Sequence, residues 1–358
     1  MPALLHPPKK ILAIKLRALG DTVIMTASLA QLRKAFPRAE IHALVLNPWK
    51  SLLEGHPGAD KIIGYDRHND AGARAKAIAR LALKLRPEAY DCVVNFHASP
   101  SSSILAFATG AKLRSIHFHG HRDKNRYSTA TVPGKGILKP IVERDLDTVR
   151  ALGIPVPTGN LPQIFISESE RAWGSQLLFD RGLTGPILGL GLGASRPTKM
   201  WSTTHFAQVA LKWCKEKNGS VLAVAGPDET RTANDFLSLC QELGSRVQIA
   251  TQFSVRQLSA VLANLSCFAG NDSGPRHIAV AVGTPTVTLF GPEHPFEWHP
   301  YSEEAHPKLF IDNLACRKDA DPGMPPWCGL NECIVEKNKC LQMISEDQVF
   351  EQIIRVSK

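Results

Sequence analysis

Four short stretches of this chain combine the residue types that polar ligand chemistry requires. Each sets a carboxylate, a cation or a glycine turn directly after an apolar run. "KLRALGDTVIMT" (15–26) places Asp21 after Gly20 and ahead of a helix-forming segment. "GLGASRPTKMWSTTHF" (191–206) offers Gly191 and Gly193, then Lys199. "AGPDETRTA" (225–233) ends an apolar run with Gly226 and opens a helix with Asp228 and Glu229. "GNDSGPRHIAVAVGTPTVTLFG" (270–291) sets Asp272 beside Ser273 and Gly274, then continues through His277 into a second apolar run.

Each stretch has a plain reading and a chemical one. Asp21 is placed to cap a helix, accepting backbone N–H bonds and complementing the dipole. A general base toward an attacking hydroxyl is the sharper reading, and both can hold at once, although capping would lower the pKa and weaken the base. Gly191 and Gly193 permit close backbone approach, and Lys199 adds a point charge suited to phosphate. Neither the Walker spacing nor a clean dinucleotide fingerprint is present, so the plain reading is a surface loop with a solvated lysine. Asp228 and Glu229 complement a helix dipole, or hold a ribose hydroxyl as in dinucleotide-binding folds. A helix starting near Gly274 would aim free N–H groups at an anion such as a diphosphate. Asp272 repels phosphate, so it is expected to accept hydrogen bonds from sugar hydroxyls or to orient donors.

The elements that must position these loops alternate in type. Apolar strands are expected at 11–16, 41–46, 90–96 and 112–118, with helices at 22–36, 72–86 and 142–153. The segment 154–163 carries three prolines and reads as a linker. Alternation restarts with strands at 186–193, 220–226 and 246–251, each followed by a helical pattern, and ends in a helix over 345–357 capped by Ser345. Strands alternating with helices favour parallel sheets covered on both faces, with ligands at the carboxyl ends of the strands. The length, 358 residues, argues for two domains. The expected division is 1–160, 161–344, and a final helix 345–358 that returns to the first domain.

These loops, in this order, resemble glycosyltransferase family 9, which contains the bacterial ADP-heptose:lipopolysaccharide heptosyltransferases. The matching stretches are "IKLRALGDTVIMTASLAQLRKAFP", "GLGASRPTKMWSTTHFAQVA", "AGPDE" and "NDSGPRHIAVAVGTPTVTLFGP", which together span most of the chain. The resemblance implies an α/β GT-B fold, two Rossmann-like domains with parallel sheets facing a central cleft. It implies inverting transfer from an ADP-sugar, with no cofactor and no metal. Asp21 matches the family's base and Lys199 its phosphate-contacting lysine. Gly191, Gly193, Gly226, Asp228, Glu229, Asp272, Ser273, Gly274 and His277 fall on donor-binding positions. Two departures stand out: Arg276 replaces a smaller or apolar residue, and the histidine common before the helix at 142–153 is absent from "LKPIVERDLD". A nucleotide-sugar epimerase of the same fold and a non-catalytic binding module are the alternative readings.

Composition limits the partners. Lys+Arg 42 against Asp+Glu 33 gives +9, which suits an anionic partner. The basic stretch 112–126, with Arg122, Lys124 and Arg126, and Gly20 are the expected acceptor-binding residues, facing a phosphorylated lipid-core acceptor at the membrane surface. His117, His119 and His121 alternate there without an acidic or cysteine ligand nearby, which argues against zinc. Arg74, Arg80, Lys84 and Arg86 read as the wet side of their helix. No aromatic motif accompanies the basic residues, so nucleic acid is not expected, nor is an obligate protein partner. No apolar run approaches the ~20 residues of a membrane span, and the N-terminus lacks a secretory core. A cytoplasmic protein peripheral to the inner membrane is expected. Cys316, Cys328, Cys333 and Cys340 have eleven, four and six residues between them, which is not the paired knuckle spacing of structural zinc. A structural loop is expected there.

Overall fold

The computed structural model describes residues 6–97, 99–117, 125–130, 132, 139–312, 314, 316, 330–333, 335 and 339–357. The chain divides into two compact units, Met1–Phe165 and Ile166–Lys358. The first runs β1 (Lys10–Lys15), α1 (Leu19–Ala35), β2 (Glu40–Leu46), β3 (Lys61–Tyr65), α2 (Ala71–Leu85), β4 (Cys92–Asn95), α3 (Pro100–Ala108), β5 (Leu113–Ile116) and α4 (Ile141–Arg150). The second begins with α5 (Glu168–Asp180), β6 (Ile187–Gly191), α6 (Thr203–Glu216), β7 (Ser220–Val224), α7 (Thr230–Leu239), β8 (Val247–Ala250) and α8 (Val255–Leu262). It continues with β9 (Cys267–Asn271), α9 (Gly274–Ala281), β10 (Thr286–Phe290), α10 (Pro295–Trp298), β11 (Lys308–Phe310), α11 (Lys339–Gln342) and α12 (Glu346–Val356).

Both sheets are parallel, in the orders β3-β2-β1-β4-β5 and β11-β10-β9-β6-β7-β8. Strand order reverses between β1 and β4 in the first sheet and between β6 and β9 in the second. Those switch points open crevices at the carboxyl ends of the strands. The first turn of α1, with Asp21, and the loop after β9, with Asp272, leave from those points.

Side-chain alternation decides what each face of β1 meets. Leu12, Ile14 and Leu16 pack with Ile78, Leu81 and Leu85 of α2 and Leu105 of α3. Lys15, of opposite parity, is buried and reaches α4 on the other face. In the second unit, Leu188, Leu190, Val287 and Leu289 share a core with Phe206 and Trp213 of α6.

Three sequence expectations change. The helix holding Asp21 begins at Leu19, so Gly20 and Asp21 lie inside its first turn; Ala18 is the cap position and no side chain caps it. Asp21 is therefore not the N-cap. The terminal helix α12 is capped by Ser345 with Gln348, and its Val349, Phe350, Ile353 and Val356 lie in the core of the second unit. The proline segment is pinned to the first unit, because the Gln163 amide donates to Thr26 Oγ1 (2.9 Å) and Gln31 Nε2 donates to Asn160 Oδ1 (2.5 Å).

The two switch strands of the second sheet lie side by side as glycines. A methyl group on Gly270 would sit 2.9 Å from the Gly191 Cα and carbonyl oxygen. Gly270→Ala is expected to destabilise the second unit by about 1–3 kcal/mol, since backbone on both sides resists displacement. Chemical denaturation followed by intrinsic fluorescence measures this, and an unchanged midpoint would contradict it.

Candidate functional site

In the second unit the site is built on the β6/β9 switch point. Asn271 ends β9 and is fully buried. Its Oδ1 accepts the Trp201 amide (2.9 Å) and its Nδ2 donates to the Leu192 carbonyl (2.8 Å). These two bonds fasten the loop after β6 to the end of β9. Lys199 rides on that loop in a 3-10 turn, Pro197–Lys199.

Lys199 Nζ lies 2.6 Å from Asp272 Oδ2. The other carboxylate oxygen accepts from Arg276 Nε (3.1 Å) and Nη2 (2.5 Å). Asp272 is buried, and burial alone would raise its pKa. Arg276 and Lys199 outweigh that cost and hold the carboxyl well below its usual range. Asp272 therefore has a cation on each oxygen and orients both. Arg276 is itself buried, donating to the Trp298 carbonyl (2.8 Å) and standing 5.1 Å from the Phe290 ring centroid.

Ser273 is the cap position of α9, yet its hydroxyl makes no cap bond and its Oγ is buried without a hydrogen-bond partner. Gly274 opens α9, as the sequence predicts. Amides in the first turn of a helix have no intrahelical acceptor. The turn therefore presents N–H donors next to the cation pair on Asp272, a setting suited to an anion. Glu293 lies nearby, ion-paired with Arg196; burial raises its pKa against the pull of Lys199 and Arg196.

Glu229 occupies the space above Gly193. A methyl group on Gly193 would fall 1.8 Å from Glu229 Oε2, so any side chain there would have to displace the Glu229 carboxylate. The same oxygen accepts the Gly226 amide (2.5 Å). Gly193, Gly226 and Glu229 thus form one corner at the ends of β6 and β7, while Asp228 is exposed. Gly191 serves packing instead, because the Phe268 ring fills the room its side chain would take. His277 packs against Tyr301. Its Nδ1 is 2.5 Å from the Tyr301 hydroxyl, and burial, with Arg276 adding to it, keeps the ring neutral.

The first unit holds a second cluster that sequence reasoning did not find. Lys15, buried at the end of β1, donates to both oxygens of Asp145 at 2.8 Å. Asp21 Oδ1 lies 3.8 Å from the same ammonium and 3.7 Å from Arg17 Nε. That oxygen is buried and accepts no hydrogen bond. Burial pushes Asp145 up to about 6, against the pull of Lys15. Asp145 sits 130 residues from Lys15, so no local motif points to it. On the α2 and α3 side of the sheet, a cavity of about 540 Å³ opens at the carboxyl ends of the strands, lined in part by Tyr65, Arg67, His68, Arg74 and His97.

Of the expected acceptor residues, Arg126 is exposed and stands 4.8 Å from the Tyr127 ring centroid. Gly20 is buried within α1. Arg122 and Lys124 lie outside the described residues, as do His119, His121 and Cys328. Among the described residues no group of three or more His, Cys, Asp or Glu is placed to hold a metal ion, and no helix is long and apolar enough to cross a membrane.

Two outcomes follow for stability. Asp272→Asn leaves two cations without their shared anion and is expected to cost about 3–5 kcal/mol, read from the denaturation midpoint. His299 supports the cluster: its Nε2 donates to the His306 carbonyl (2.6 Å) and its Nδ1 faces Arg276 Nη1 at 3.5 Å. Burial, then Arg276, lower its pKa from 6.5 to about 3. The unfolded chain therefore binds a proton that the folded chain refuses, and stability is present above pH 6.5 and lost as pH falls toward 3. His299→Gln is expected to flatten the acid limb of the thermal midpoint against pH; an unchanged slope would remove His299 from that account.

Comparison with known proteins identifies the family and the fold. The family model for Glycosyltransferase family 9 (heptosyltransferase) matches residues 78–322. A lipopolysaccharide heptosyltransferase 3 of Escherichia coli strain K12 is 26% identical over 293 residues, covering 79% of this chain and 83% of the relative. A solved glycosyl transferase family 9 structure from Veillonella parvula superposes with a TM-score of 0.77 at 22% identity, covering 97% of each chain. E. coli heptosyltransferase WaaC, solved with ADP-2-deoxy-2-fluoro heptose, gives 0.67 at 16% identity, covering 96% of this chain and 98% of that one. The paired parallel-sheet units are those of the GT-B fold, and the chain belongs to glycosyltransferase family 9.

Proposed function

We propose that the protein moves a heptose-type sugar, with inversion, from an ADP-sugar to a phosphorylated lipopolysaccharide core acceptor, using protein cations in place of a divalent metal. The observation that carries this reading is the Lys199–Asp272–Arg276 cluster at the first turn of α9. It places fixed positive charge beside helix N–H donors, which is what a departing diphosphate requires. The naming of the E. coli relative and the ligand of the WaaC structure support heptose and ADP as the sugar and nucleotide.

In this mechanism the acceptor hydroxyl gives its proton to Asp21 and its oxygen bonds to the anomeric carbon. The bond from that carbon to the diphosphate breaks, and its electron pair stays on the β-phosphate oxygen. Lys199 and the amides of α9 hold the charge gathering there. A single displacement inverts the anomeric centre. Asp21 suits the base because one oxygen has no donor to release before it accepts a proton. Lys15 and Asp145 hold the first turn of α1 in place around it. Glu229 commits Oε2 to the Gly226 amide and leaves Oε1 for the ribose. The cavity with Arg67, His68 and Arg74 suits the anionic acceptor. The lipid-borne acceptor places the enzyme at the inner face of the inner membrane as a peripheral protein.

Asp21→Asn is expected to lower the transfer rate by about 10²–10⁴ while leaving thermal stabilisation by the ADP-sugar intact. Transfer at the unaltered rate would remove Asp21 from the chemistry. Incubation with the ADP-sugar alone separates the other readings: appearance of an epimer identifies an epimerase, and donor binding with neither product identifies a binding module.

A further inference from the structure

The outer surface of α2 carries charge of one sign. From Ala71 to Pro87 the chain has five Lys or Arg and no Asp or Glu. Ile78, Leu81 and Leu85 are buried against the sheet. Lys76, Arg80 and Leu83 follow at helical spacing on the opposite side, with Lys84 beside them, and all four are exposed. Leu83 is 73% exposed. None of the three cations pairs with a carboxylate among the described residues.

α3 packs beside α2 on the same face of the sheet. It too lacks acidic residues, and it exposes Ile104 (46%) and Phe107 (54%) one turn apart. Arg114 lies 5.4 Å from the Phe107 ring centroid, keeping cationic charge beside the apolar tip. Two neighbouring helices thus present apolar side chains among cations with no carboxylate interleaved. A helix face solvated for its own sake normally mixes signs, because i,i+4 opposite pairs stabilise it and like pairs do not. Lys76 with Arg80, and Arg80 with Lys84, are both like pairs at that spacing.

We propose that the outer face of α2 and α3 docks the protein on an anionic lipid bilayer, with Lys76, Arg80 and Lys84 against headgroup phosphates and Leu83, Ile104 and Phe107 in the interfacial layer. Charge complementarity selects this occupant: basic residues interleaved with large apolar tips are the composition of interfacial helices. The inference deepens the peripheral membrane location proposed above, naming the surface responsible. Three cations contribute together, so binding to anionic vesicles is steeply salt-dependent.

The test uses the full chain and sedimentation with phosphatidylcholine vesicles with and without phosphatidylglycerol. Wild type is expected to partition onto the anionic vesicles only. The triple variant Lys76→Gln, Arg80→Gln, Lys84→Gln is expected to weaken that partition about five-fold per charge, on the order of a hundredfold in all. Leu83→Ser with Phe107→Ser is expected to weaken it further. All five positions are exposed and Gln is a good helix former, so circular dichroism and the thermal midpoint are expected to stay as in wild type. Equal binding to neutral and anionic vesicles, no binding to either, or wild-type binding by the triple variant would overturn the proposal. Thermal stabilisation by ADP-sugar, read on the same variants, is expected to be unchanged. Loss of lipid binding with donor binding intact therefore bears on this surface alone, and failure of donor binding in wild type bears on the catalytic reading alone.

Discussion

The site in the second unit depends on how a buried carboxylate is shared. Asp272 has almost no contact with solvent, and an isolated carboxylate there would be prohibitively desolvated. Lys199 takes one oxygen and Arg276 the other. Two cations against one carboxylate leave one net positive charge, fixed by packing before any ligand arrives. His277 and His299 stand close by, and burial keeps both neutral, so they add no charge of their own. Arg276 falls in the first turn of α9, where the helix dipole disfavours a cation, and Asp272 offsets that cost. The result is a preorganised anion cradle in which the acidic residue serves by positioning its neighbours.

The first unit inverts this arrangement. There one buried ammonium, Lys15, is set among two carboxylates, with Asp145 bonded to it and Asp21 further off. The difference in distance divides the work. Asp145 spends both oxygens on the lysine, so it compensates the buried charge. Asp21 Oδ1 stands 3.8 Å from the same ammonium and accepts no hydrogen bond.

Much of this was legible in the sequence, for identifiable reasons. Strands buried on both faces read as continuous apolar runs, so β1, β2, β4, β6, β7, β9 and β10 stand out. α9 was legible because Ser-Gly-Pro can open a helix but not continue one. The segments that did not stand out are β3, interrupted by Gly64; α3, whose Ser102 and Ser103 are buried where apolar residues would be expected; α5, which shows only a weak apolar stripe; and the three-residue β11. The first turn of α1 was misplaced because Leu-Gly ahead of Asp21 looks like a loop. Partners distant along the chain were illegible: Lys15 with Asp145, and Gly193 beneath Glu229. The resemblance marked Arg276 as a departure, but only its bonds to Asp272 and Trp298 give it a purpose.

The basic excess of the chain divides by function once the fold is known. Lys15 is buried against Asp145, while Lys199 and Arg276 share Asp272, so much of their charge is compensated locally. The surplus that solvent feels includes the cations of α2, which read from sequence as the wet side of a helix. Exposure bears that out, but a wet side does not require Leu83, Ile104 and Phe107 among its cations, nor the absence of every carboxylate. Like charges one turn apart repel, and exposed aromatic and aliphatic tips gain nothing from water. Both costs vanish against a surface that is anionic at its headgroups and apolar just beneath. A protein whose acceptor is anchored in such a surface would gain from meeting it along α2 and α3, whose first turns also border the cavity at the strand ends.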